Sequence, residues 1–184
     1  AEKTGDIREA VGEYQAAIAD NPALSAPRAA LGRLYIYGGL PDMAMGLVEP
    51  VLATAPNDAQ LLTVRAAARQ RLGDTAGAMS DAETALRLAP QDDYAVALLA
   101  SLYELRAQPD RAIQIVQEAL VRTPANLDLR VIRAEQLLRE SELRYRALFE
   151  RNLAGVFRAR ADSSVLEGNE AFVRERKVLV FRAQ

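Results

Sequence analysis

Pro22, Pro56, Pro90 and Pro124 stand 34 residues apart, and a period of that length is hard to satisfy except by stacking near-identical small units. The residues between the prolines repeat as well. Twelve positions before each proline stand Ala10, Ala44, Ala78 and Ala112; five before stand Ala17, Val51, Ala85 and Ala119; four before stand Ile18, Leu52, Leu86 and Leu120. Gly5, Gly39, Gly73 and then Ala107 form another column, and Gly32, Ala66 and Ala100 a further one. Columns that keep side-chain size in register describe a packing unit, because repeats of roughly 20 to 50 residues bury their apolar faces on one another.

Each column has a physical reason. Helix axes approach to about 8 to 10 Å only where the contacting side chains are small, which accounts for the alanines and for Gly32. The glycine column falls between the two helices of each unit, where a left-handed residue ends a helix without a Cβ penalty. Ala107 in that column predicts a turn that is strained or differently shaped. The prolines follow one helix and precede the next, and Asp58, Asp93 and Asn126 stand where N-caps are needed, with Ser25 able to cap in the second unit.

The 34-residue helix-turn-helix unit resembles the tetratricopeptide repeat. The resemblance rests on Gly32, Ala66 and Ala100, on Ala10, Ala44, Ala78 and Ala112, on Tyr35 and Tyr103, on Tyr14 in the second-helix aromatic column, and on the four prolines. It implies an all-α fold, a right-handed superhelix of antiparallel helix pairs, over residues 1–140. The units are a partial repeat 1–24, repeats 25–58, 59–92 and 93–126, and the first helix of a further unit at 127–140. Arg65 and Arg69 depart from the pattern by placing charge in columns occupied elsewhere by Leu31 and Leu99 and by Tyr35 and Tyr103. Val48, Ala82 and Val116 stand where Tyr14 leads one to expect an aromatic ring. The chain reads as starting mid-repeat, with residues 1–4 as the last turn of an earlier helix, and its open first unit is a candidate surface for a homo-oligomer.

Past Pro124 the pattern changes. Ser141 and Arg146 occupy the glycine and alanine positions and no fifth proline follows, so 141–153 is expected as a separate capping or linker helix. Residues 154–184 form a tail whose runs 156–161, 165–168 and 177–182 are β-prone. The segment from Glu140 to Arg174 is similar to the opening of a PAS sensory domain, through Arg144 to Glu150, Gly155-Val156-Phe157, Asp162, Val165-Leu166 and Asn169-Glu170-Ala171-Phe172. That resemblance stops before the part of such a domain that builds a ligand pocket, so it implies no cofactor. The competing reading takes 142–153 as a solenoid cap and the tail as a chance likeness.

Half of the residues are apolar, which is enough for a continuous core, while histidine and cysteine are both absent. The commonest nucleophile-base arrangements and thiolate metal sites are thereby excluded, and no catalytic, cofactor or metal residue is expected. Asp92 and Asp93 read as a cap with an acid favoured by the helix dipole. Gly38-Gly39 reads as a repeat turn, because no Lys-Ser/Thr pair follows it as a phosphate-binding loop requires. The arginines 65, 69 and 71 form at best a small patch, short of the basic stripe of a nucleic-acid binder. No apolar run reaches the ~18 residues of a membrane span; with no signal peptide evident, a cytoplasmic setting is slightly favoured.

These exclusions leave binding. In the tetratricopeptide fold the first helix of each unit lines a concave groove, and the matching exposed positions are Arg33, Tyr37, Gln60, Thr63, Gln70, Arg71, Tyr94, Ser101, Glu104, Asp128 and Glu135. Tyrosines among adaptable polar groups suit a peptide or helix laid in a groove; alternatively Tyr37 and Tyr94 merely cover neighbouring helices. Some relatives clamp a terminal carboxylate with Lys, Asn and Arg. Here Ala29, Arg33, Ala30, Gln60 and Val64 stand at those positions, so chaperone tails ending in acidic motifs are not expected as ligands. The resulting expectation is a non-enzymatic protein-protein interaction scaffold. The alternative is the input and coupling region of a larger PAS-containing signal-transduction protein.

Overall fold

Alternation of apolar stripes with a period near 3.6 makes every described element of this chain a helix. The structure is a computed structural model that describes residues 2–156, and among these the elements are α1 (Glu2–Asp20), α2 (Ser25–Tyr37), α3 (Pro41–Leu52), α4 (Ala59–Arg71), α5 (Thr75–Leu88), α6 (Asp93–Leu105), α7 (Pro109–Arg122) and α8 (Leu127–Val156). No strand occurs among them. The chain divides into two compact units, Ala1–Arg133 and Ala134–Gln184. The first contains α1 to α7 and the opening turns of α8; the described part of the second is the remainder of α8. The β-prone runs from 157 onward, and most of the segment similar to a PAS opening, lie outside the described residues.

In the first unit α2 pairs with α3, α4 with α5 and α6 with α7, while α2, α4 and α6 pack side by side and α1 lies against α2. This is the tetratricopeptide-repeat superhelix. The core runs as two adjoining clusters. Val48, Leu52, Leu61, Val64 and Leu102 lie in the first, and Val96, Ala100, Ala112, Val116, Ala119 and Leu129 in the second, with Leu86, Tyr103 and Ile115 packed against both. The small column is where helices approach most closely: a methyl group added at Gly32 would stand 2.6 Å from Cγ1 of Val64, and a β-branched valine has little χ1 freedom with which to yield.

The turns within each pair depend on left-handed residues. Gly39 and Gly73 have φ of 73° and 88°, and Ala107 repeats the conformation at 55°. An L-residue held there costs about 1 to 2 kcal/mol. Ala107→Gly is therefore expected to raise stability by about 1 kcal/mol, read as an upward shift of the denaturant midpoint with an unchanged slope. Gly5, the fourth member of the column, makes no turn: α1 continues through it from Glu2. A helix that satisfies its own backbone groups needs no reversal at that point.

The caps follow the sequence in two units and are displaced in two others. The Asp58 carboxylate accepts from the Leu61 amide at 3.1 Å, and Asn126 Oδ1 from the Leu129 amide at 3.0 Å. At α6 the cap is Asp92, which accepts from the amides of Tyr94 and Ala95. Asp93, one residue inside the helix, instead accepts from Asn126 Nδ2 at 2.5 Å and from the Thr123 hydroxyl at 3.3 Å. Ser25 likewise does not cap α2; its hydroxyl donates to Asp58, the N-cap of α4. Polar residues at the helix entrances thus link the start of one first helix to the start of the next, which a reading of each helix alone does not reveal.

The charged departures in the third unit are compensated within it. Arg65 Nε and Nη2 donate to the two carboxylate oxygens of Asp81 at 2.8 and 2.7 Å, and Arg69 Nη1 donates to the same carboxylate at 2.8 Å. Asp81 is only 5% exposed. The hydrogen bond to Asp81 raises the Arg65 pKa, against the opposing effect of burial. An ion cluster takes the place of aliphatic and aromatic packing between α4 and α5.

Beyond Asn126 the sequence suggests a break at Ser141, yet α8 is one helix from Leu127 to Val156. The residues around 141 contain neither glycine nor proline and are rich in Glu, Leu and Arg, all good helix formers. Val156, expected to open a β-prone run, is its last residue.

Candidate functional site

The helices α2, α4 and α6 are the first members of their pairs, and their outer positions share one face because each packs beside the next. Arg33 on α2 reaches across to α6, where its guanidinium lies 5.7 Å from the centre of the Tyr94 ring. A cation over an aromatic face at this distance contributes about 0.5 to 1 kcal/mol where solvent has access. Tyr37, one helical turn beyond Arg33, is 76% exposed. Arg71 at the end of α4 is exposed as well.

Electrostatics show that these groups sense one another. Burial raises the Tyr94 pKa above its ordinary value of 10; the nearby Tyr37 adds to the rise, whereas Arg33 and Arg71 oppose it. Tyr103 is also raised, chiefly by burial and then by Glu83. A phenol whose pKa is higher in the folded than in the unfolded protein binds its proton more tightly when folded. Its contribution to stability is complete below the unfolded value and is lost as pH climbs through the folded one. An ultraviolet difference titration is expected to show Tyr94 and Tyr103 titrating late, and Tyr94→Phe should remove the first of these late steps.

Beside this cluster Gln70 Nε2 donates to the Ser101 hydroxyl at 2.8 Å, and that hydroxyl donates to the Leu98 carbonyl at 2.8 Å. The pair bridges α4 and α6 and leaves both side chains half-buried. Thr63 does not belong to the exposed face: it is fully buried, its hydroxyl donating to the Ala59 carbonyl at 2.8 Å with an Asp92 carboxylate oxygen 3.3 Å away as the alternative acceptor. It lies where α4 meets the start of α6, so its hydroxyl links these two helices instead of facing solvent. Gln60 is exposed in the first turn of α4, Glu104 is half-buried near the end of α6, and Asp128 is exposed in the first turn of α8. Glu135 is exposed on α8 within the second unit. The structure therefore gathers Arg33, Tyr37 and Tyr94 around one spot with Arg71, and sets Gln70 and Ser101 in a bridge beside it.

Of the positions matching a carboxylate clamp, Ala29 and Val64 are fully buried and offer no donor. Among the described residues no cluster of acidic groups could hold a metal ion, and no helix is long and apolar enough to cross a membrane.

Comparison with known proteins agrees with this architecture. Residues 2–68 match the tetratricopeptide repeat family. A thermophilic TPR protein of Thermus thermophilus superposes with a TM-score of 0.63 at 24% identity, over 74% of this chain and 75% of that one. MamA superposes at 0.54 and 17% identity, over 79% and 94% of the two chains. The first TPR of Spaghetti, solved bound to an HSP90 peptide, superposes at 0.54 and 20% identity, over 64% and 99%. At these identities the likeness is one of fold. No curated protein matches the chain.

Proposed function

We propose that this chain is a scaffold that holds a segment of another protein against the face formed by α2, α4 and α6. The observation that carries the reading is the cluster of Arg33, Tyr37, Arg71 and Tyr94. It offers two cations and two aromatic rings on helices whose spacing the solenoid fixes. Tyrosine supplies contact area at low entropic cost, and the arginines favour acidic side chains on the bound segment. Structural neighbours of the same fold have been solved with short peptides, from HSP90 and HSP70, which supports a peptide as the occupant. The absence of a clamp at Ala29 and Val64 favours an internal segment over a chain terminus.

The test compares the parent with an Arg33→Glu, Tyr37→Ala, Tyr94→Ala variant, shown by circular dichroism to stay helical, in selection from a displayed random-peptide library. The expected outcome is enrichment of acidic and aromatic peptides by the parent alone. Equal enrichment by both proteins, or none by the parent, contradicts the reading.

A further inference from the structure

The face of α8 opposite the buried Leu129 and the partly buried Ile132 carries a seam that the binding reading does not use. Leu127, Val131, Ala134, Leu138, Ser141, Tyr145 and Leu148 recur at alternating spacings of four and three, the heptad pattern, and all are exposed. Leu138 is 62% exposed, Tyr145 76% and Leu148 54%, with Phe149 beside them at 60%. Three consecutive heptads on one uninterrupted helix form a coiled-coil seam that water covers poorly.

The charges beside the seam identify what it pairs with. One flank carries Asp128, Glu135 and Glu142, and the other Arg130 and Arg144, all exposed. When two copies of such a helix run parallel, each residue of the basic flank faces the partner's acidic-flank residue five positions on, so Arg130 of each copy meets Glu135 of the other, while Leu137 faces Glu142 and Arg144 faces Phe149; when they run antiparallel, the acidic flanks meet each other and so do the basic ones. From this arrangement we infer that α8 associates with α8 of a second copy of the chain as a parallel two-stranded coiled coil. Alanine and serine in the seam make the pair modest in strength, so association is reversible and depends on concentration. Two copies joined in parallel present two peptide-binding faces, and a partner carrying two segments gains avidity.

Sedimentation equilibrium of the whole chain over rising concentration tests the inference. The parent is expected to show a monomer-dimer equilibrium. Leu138→Glu with Tyr145→Glu, which places four charges in the seam of a dimer, should raise the dissociation constant at least ~100-fold. Two charge variants fix the geometry: one carries Arg130→Glu and Arg144→Glu, the other Glu135→Arg and Glu142→Arg. Each should be monomeric alone, and their equimolar mixture should regain the dimer. All these positions are exposed, and unchanged helicity and melting show that each variant is folded. A parent that stays monomeric overturns the proposal, which would leave the seam to another segment or a different protein. A dimer that survives Leu138→Glu with Tyr145→Glu overturns it in favour of another surface, such as the first repeat. Charge variants that fail to pair when mixed overturn the parallel arrangement.

Discussion

Asp81→Ala is expected to lower the stability of the repeat array by about 3 to 5 kcal/mol, the range for removing one partner of a buried ion pair. Asp81 accepts hydrogen bonds from both Arg65 and Arg69, and its loss takes the carboxylate from two guanidinium groups about one quarter exposed, leaving Arg69 only the exposed carboxylate of Asp74 at 3.7 Å. The penalty comes from the stranded charges more than from the pair's own attraction. Combining Asp81→Leu with Arg65→Leu and Arg69→Tyr, the residue types found in the equivalent columns of the other repeats, should therefore recover most or all of the loss. Urea denaturation of the single and combined variants checks both outcomes. A single variant within about 1 kcal/mol of the parent, the value typical of exposed ion pairs, would mean that the cluster is effectively solvated.

Leu129→Ala should cost about 2 to 5 kcal/mol, the usual range for a leucine emptied from a closed core. Leu129 is completely buried among Val96, Ala100, Ala112, Val116 and Ala119. In a stack where each unit contacts only its neighbours, such a loss is felt first at the nearest end. Hydrogen exchange is expected to accelerate most in the opening turns of α8 and next in α6 and α7, while α2 and α3 keep nearly all their protection. Uniform acceleration across the array would show that it unfolds as a single cooperative block.

These variants also show how far sequence reasoning reaches. The proline period and the small-residue columns describe local packing, and with them the helix pairs and the left-handed turns at Gly39 and Gly73 were legible, whereas at Ala107 the sequence left open a strained or a differently shaped turn and the structure has the left-handed one. The links between successive first helices were not. Asp93 satisfies Asn126 while Asp92 caps the helix, Ser25 donates to Asp58, and Thr63 turns inward towards Asp92. Each bond joins residues about one repeat apart, and no single-helix pattern encodes it. The buried ion cluster does have a signal in the sequence: Arg65 stands where the neighbouring repeats have Leu31 and Leu99, and Asp81 where they have Leu47 and Ile115, both within the same unit, although Glu13 and Arg133 also occupy these columns nearer the two ends of the array. Two opposite charges entering apolar columns of one repeat mark a buried pair. The break expected at Ser141 follows from the end of the repeat pattern, but loss of a repeat does not interrupt a helix whose residues all favour it. For the candidate site, residue type and helix face selected Arg33, Tyr37 and Tyr94. Their convergence depends on how α2, α4 and α6 are set side by side.

A hydrogen-exchange footprint tests the binding face proposed on α2, α4 and α6. A peptide selected by the parent protein is added at saturation and the change in protection is mapped along the chain. The account predicts slower exchange in α2, α4 and α6, centred on the turns that carry Arg33, Arg71 and Tyr94, with α3, α5 and α7 little altered. Protection confined to α3, α5 and α7, or to α8, would place the bound segment elsewhere and contradict it.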